Sequence, residues 1–394
     1  MPTEPSLSDS AAVGPPADDT MRKAAKKGSA FYRPELDVLR FFAFFCVFLT
    51  HGVRVNLKGG ILAHHPALGK AIASLDAAGS YGLPLFFFLS SFLITTLLLI
   101  EKGKTGRVAL RSFYIRRILR IWPLYFGFLT LMFILGCFWK PGYISVRALL
   151  AFFLLSGNWY VIVAGYLADT MTFLWSISVE EQFYLVWPTL VRNLTPRGIQ
   201  RFCIGLVIVS LCATAALAAT HSSVINLWYN SASQMLFFAG GGLLAIRIGL
   251  IRQQKSAWKT GGALLTGAAC WFIANTVKGY LQTYDLIPPF HALASYLFIC
   301  LGCAAFLWGF LHMPNAWLRP KIVYLGRISY GLYVFQGIGL IVGGRFFEHY
   351  LKGGTWLVVS LAVIIALATL SYEFCEKPFL KLKHRFELVH SRPV

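Results

Sequence analysis

The chain has 394 residues, of which 57% are hydrophobic, 15% aromatic and only 13% charged, with a mean hydropathy of +0.63. Soluble domains carry about 25% charged residues, so the composition excludes an ordinary soluble domain and points to a multi-spanning membrane protein. The net charge is +20, from 36 Lys and Arg against 16 Asp and Glu. The basic residues gather between apolar runs, the positive-inside pattern of a membrane chain, and no nucleic-acid partner is expected.

Residues 1–30 are rich in Pro, Ser, Ala and Lys and lack the apolar core of a signal peptide. They are expected to form a disordered cytoplasmic tail. Apolar runs follow near 36–56, 81–100, 118–138, 148–164, 172–191, 202–219, 232–250, 260–277, 291–312, 322–343 and 355–375. Charge decides how many of them cross. If 148–164 stays on the outer face, ten helices cross and both termini are cytoplasmic. Twenty-seven basic residues then lie inside and eight outside; letting 148–164 cross reverses every later segment. That run, broken by Ser156, Gly157 and Asn158, is therefore expected to be re-entrant or interfacial. The expected fold is all-α: a polytopic membrane helix bundle of about 10 transmembrane helices, with a membrane domain over 31–379 and a basic cytoplasmic tail over 380–394.

Within the first run, Arg40 and His51 are 11 residues apart, nearly a whole number of helical turns. They share one stripe, with a rise of roughly 16 Å between them, about half the hydrocarbon core. Ionisable groups inside a membrane helix face a protein interior or a water-filled path. The second run carries Ser90 and Ser91, small residues that permit close helix approach. Four arginines, Arg111, Arg116, Arg117 and Arg120, crowd the segment before Pro123. They either anchor a helix or, as planar forks, bind phosphate oxygens.

The densest local signal is the run from Trp175 and Ser176 through Glu180 and Glu181 to Pro188. Two carboxylates near the middle of a membrane helix serve either helix packing or acid–base chemistry. Neighbours on a helix point about 100° apart, so the two cannot face one cavity equally. Counting from the outer ends puts Glu181 at broadly the depth of His51, a plausible base-and-orienter arrangement. Cys300 and Cys303 form a CxxC inside an apolar run with no second pair, which reads as buried packing. No Walker A loop, GxGxxG, HExxH or GxSxG pattern occurs, so no bound cofactor and no metal are expected.

At these residues the chain resembles the acyltransferase-3 family of integral-membrane acyltransferases, which includes O-antigen and nodulation-factor O-acetylases. The resemblance rests on Arg40 and His51 in the opening helix, on Arg116, Arg117, Arg120, Ile121, Pro123 and Tyr125, on the block 175–188, and on 326–336 with 371–379. Departures are Pro84, where an acidic residue is usual, Ser91 in place of Gly, and Gln336 in place of His. The resemblance implies a multi-pass protein of the bacterial inner membrane. It implies transfer of an acyl group, most often acetyl, from cytoplasmic acyl-CoA to a hydroxyl of an extracytoplasmic sugar or glycolipid. It also implies catalytic roles for His51, Glu181, Glu180 and Arg40, and donor binding by Arg116, Arg117, Arg120 and Arg111. Roles with the acceptor or in shaping the site fall to Ser90, Trp175, Ser176 and Tyr330. The alternative is a transporter exporting a glycan or lipid-linked intermediate along the same polar residues.

Overall fold

The structure, a computed structural model, describes residues 31–56, 77–138, 144–165, 171–220, 222–279, 287–344, 355–387 and 389. The expected tail over 1–30 lies outside them. Among the described residues there are helices and connections but no strand.

The long helices are α1 (Pro34–Asn56), α2 (Gly82–Thr105), α3 (Leu110–Gly136), α6 (Trp175–Asn193), α7 (Pro196–Ala219), α9 (Ser231–Leu244), α10 (Ala257–Gly279), α11 (Pro289–Leu311) and α14 (Thr355–Ser371). Short helices are α4 (Val146–Phe153), α5 (Gly157–Ala164), α8 (Val224–Tyr229), α12 (Pro320–Arg327) and α15 (Lys377–Lys383), while α13 (Ser329–Val342) has 14 residues, as α9 does. Six helical stretches among the described residues are long and apolar enough to cross a membrane, or up to seven if α12 and α13 form one broken span. Helices α1, α6 and α10 reach 23, 19 and 23 residues, close to the roughly 20 that a bilayer core requires.

The segment expected to turn back does bend. It forms α4 and α5, eight residues each, about 12 Å apiece and too short to cross. The break falls at 154–156, where Leu155 has φ 54°; Gly157 and Asn158 already belong to α5. A closed polar network fixes α5 in place. Asn158 donates to Ser231 and to the Tyr229 carbonyl, Gln182 donates to Asn158, and Ser231 donates to Gln182. These bonds tie α5 to α6, α8 and α9.

The run at 322–343 departs from the straight helix its hydropathy suggests: α12 and α13 meet at 76°. Gly326 lies against α1 so closely that a Cβ there would sit 1.9 Å from the Asp37 carbonyl oxygen. Arg327, beside it, donates to Tyr32 at 3.1 Å. This docking draws α12 across the start of α1 while α13 runs into the bundle. Of the expected tail over 380–394, residues 380–387 and 389 are described. Helix α15 continues past 379 to Lys383, and a 3-10 turn carries it to Phe386.

The core is a layer of aromatic rings between α1, α2, α6, α9 and α11. Phe87 and Phe183 stack on Phe238 at 4.9 and 4.3 Å. At Gly241 a Cβ would meet the Phe88 carbonyl oxygen at 2.1 Å, so only glycine lets α9 approach α2 this closely.

Candidate active site

Helices α1, α2, α3, α6, α13 and α15 surround one cavity holding about 1530 Å³ of empty space, its open mouth included. Both Leu83 and Glu101 of α2 line it. Their separation along the helix makes the cavity roughly 27 Å long.

One end is basic. Arg33, Arg116, Arg117, Arg120 and Lys383 line it, with Asp37, Glu101 and Glu387. The arginines differ in how they are held. Arg116 pairs with Glu101 at 3.0 Å and donates to the Phe386 carbonyl at 2.8 Å. Arg117 lies between the rings of Phe113 and Tyr184, 5.5 and 5.0 Å from their centroids, a cation–π seat. Neither Arg117 nor Arg120 has a carboxylate within ion-pair distance among the described residues. Arg111 is exposed and does not line the cavity. Nine residues before Arg120, it is two and a half turns away and falls on the opposite side of α3.

Further in, Arg40 lines the cavity and pairs with Asp37 at 3.1 Å. Asp37 also accepts from Tyr32. Ser90, Glu180, Tyr184 and Tyr330 follow on the wall. Tyr184 donates to Glu180, four residues earlier on the same face of α6, and Tyr330 donates to the Ile121 carbonyl at 2.8 Å.

The adjacent glutamates part company as helix geometry requires. Glu180 faces the cavity; Glu181 is not on its wall and accepts from Trp122 at 3.2 Å. The other oxygen of Glu181 is buried without a hydrogen-bond partner among the described residues.

At the far end stand Leu83, Phe86, Ser176 and Tyr333. The Ser176 and Tyr333 hydroxyls are 2.7 Å apart, and Tyr333 donates to the carbonyl of Phe173. On the other side of Phe173 is His51, its ring edge-on at 4.5 Å. His51 is therefore not on the cavity wall but one residue beyond it. Its Nδ1 is 2.8 Å from the Val47 carbonyl. A carbonyl only accepts, so Nδ1 carries the proton and Nε2 is the basic nitrogen. The pairing of His51 with Glu181 expected from depth is not formed: Glu181 is turned to Trp122, and no hydrogen bond joins His51 to either glutamate among the described residues. Trp175 is buried against Phe87 and Tyr229 and packs without lining the cavity.

Spacing could have found Asp37 and Tyr184, three residues before Arg40 and four after Glu180. Lys383, Glu387 and Tyr333 have no such local signal.

A family profile described as an acyltransferase domain matches residues 33–373. A peptidoglycan O-acetyltransferase of Listeria monocytogenes is 24% identical over 385 residues, covering 91% of this chain and 57% of its own length. A Staphylococcus aureus protein provisionally named an O-acetyltransferase is 24% identical over 374 residues, covering 89% of this chain and 58% of its own. A Bacillus subtilis protein provisionally named a peptidoglycan O-acetyltransferase is 26% identical over 376 residues, covering 88% and 55%. The chain thus spans little more than half the length of these relatives. No solved structure matches it.

Proposed function

The chain belongs to the acyltransferase-3 family, and from that premise we propose that it moves an acyl group, acetyl foremost, from cytoplasmic acyl-CoA to a hydroxyl of an extracytoplasmic glycan. The observation that carries the donor side is the pair Arg117 and Arg120. Both line the cavity, and neither has a carboxylate partner among the described residues. Glu180 acts on Arg117 and Glu376 on Arg120 only through space; partly buried cations with no carboxylate in contact are costly, and an anionic ligand lowers that cost. The phosphates of a nucleotide thioester fit there, while the pantetheine arm runs inward past Arg40 and Ser90. In this reading the basic end faces the cytoplasm, the chain crosses the cell membrane ten times, and both termini are cytoplasmic.

His51 acts as the base. The acceptor hydroxyl gives its proton to Nε2 as its oxygen attacks the thioester carbonyl. The C–S bond breaks, and the departing thiolate takes the proton back from the imidazole. The Val47 carbonyl fixes the tautomer this requires. Between donor and base stand Tyr333 and Phe173, which must part for the thioester to reach Nε2. Two relatives carry peptidoglycan in their names, which makes it the first acceptor to try.

The test uses purified protein in sealed vesicles, with labelled acetyl-CoA at the basic face and peptidoglycan fragments inside. Label on the enclosed glycan, lost in His51→Ala, supports the reading. Full transfer by folded His51→Ala overturns the role of His51, and the absence of both donor binding and transfer overturns the donor.

A further inference from the structure

The segment from Lys383 to Glu387 returns to the basic mouth. Lys383 and Glu387 both line the cavity, and their side chains are only 8% and 2% exposed. Lys383 Nζ is 3.0 Å from Glu387 Oε1, and His384 Nδ1 is 2.9 Å from Oε2. Arg116 grips the same segment through the Phe386 carbonyl. Burial alone raises the Glu387 carboxyl, but Lys383 and His384 outweigh it and hold the group below its ordinary range. An i,i+4 pair at a helix end is commonplace as local structure. This one is placed in the wall where Arg117 and Arg120 lack a carboxylate of their own.

We propose that Lys383 is a further donor-phosphate ligand and that Glu387 is an internal anion which occupies that seat until the donor displaces it. The proposal rests on the acyl-CoA reading above. It makes Lys383 and Glu387 opposed in function although they are partners in structure. An ordinary stabilising bridge would make loss of either member equivalent.

Binding of coenzyme A itself to the full chain in zwitterionic nanodiscs distinguishes the two. Lys383→Met keeps the apolar stem and removes the charge; it should weaken binding about tenfold. Glu387→Gln should tighten binding by up to about tenfold, because the free seat becomes the major state. A second measurement needs no variant. Coenzyme A should speed tryptic cleavage after Arg385 in the wild-type protein as the segment is displaced. If coenzyme A binds but both variants shift the same way or not at all, or if it protects Arg385, the proposal is overturned and the donor reading stands. If coenzyme A binds neither the wild-type protein nor any folded variant, both fall.

Discussion

Tyr333 donates its hydroxyl proton to the carbonyl of Phe173, and the ring of Phe173 in turn meets His51 edge-on at 4.5 Å. Tyr333 and Phe173 thus stand between a cavity of roughly 27 Å and the nitrogen proposed to do the chemistry. A barrier held by a single hydroxyl can be weakened without altering its shape. Tyr333→Phe should raise acetyl-CoA hydrolysis in the absence of acceptor several-fold. Hydrolysis at the wild-type rate would place the barrier elsewhere.

The arginines of α3 should separate by role. Arg117→Ala and Arg120→Ala each remove a charge-assisted partner worth about 1.5–3 kcal/mol, so KM for acetyl-CoA should rise about tenfold or more, with kcat less affected. Arg111→Ala, on the exposed side, should leave both constants unchanged. Steady-state kinetics on the three variants check this; a kcat loss at constant KM would remove phosphate binding from Arg117 and Arg120.

Arg116→Ala should act mainly on stability. Its partner Glu101 is 3% exposed, and stranding a buried carboxylate costs about 3–5 kcal/mol. The Ala109 amide bond to Glu101 lowers the penalty without abolishing it. Thermal unfolding in detergent should show a clear drop in midpoint for Arg116→Ala and a smaller one for Arg116→Ala with Glu101→Gln. Equal midpoints would mean that the pair adds nothing.

Between the glutamates, Glu180→Gln should raise the donor KM, because Glu180 holds Tyr184 and Tyr184 is one face of the Arg117 seat. Glu181→Gln, off the cavity wall, should leave that KM alone. The reverse ranking would return Glu181 to the centre of the chemistry.

The proposed cytoplasmic placement of the C-terminus is open to reporter fusions. Green fluorescent protein joined after Val394 should fluoresce and alkaline phosphatase at the same junction should stay inactive. The opposite pattern would reverse the charge-based orientation.

Much of this was legible in one dimension. The splitting of Glu180 from Glu181 follows from helix geometry alone, whereas of Arg40 and His51, 11 residues apart, only Arg40 reaches the cavity wall. The bend after α4 showed in its small polar residues, although the break came two residues earlier than they suggest. What stayed hidden depended on distant parts of the chain meeting. Glu181 was assigned to His51 because depth along two helices says nothing of rotation about them; Trp122 on a third helix took the carboxylate. Lys383 and Glu387 fell unremarked within the expected basic tail over 380–394, because no local pattern records that they fold back onto α3. The kink at Ile328 follows from the docking of Gly326 on Asp37, almost 300 residues earlier in the chain.

Helix α13 carries two of the tyrosines described above, and they reach in different directions. Tyr330 is bonded to α3 at Ile121, one residue from Arg120; Tyr333 is bonded to Phe173 at the far end. If α13 moves as a rigid body, the phosphate seat and the barrier are thermodynamically linked. Any free energy by which the donor favours the shifted helix appears as easier opening near His51, and whatever favours opening tightens the donor by the same factor. Such a bundle holds its thioester most firmly when an acceptor is ready, which limits loss of the acyl group to water.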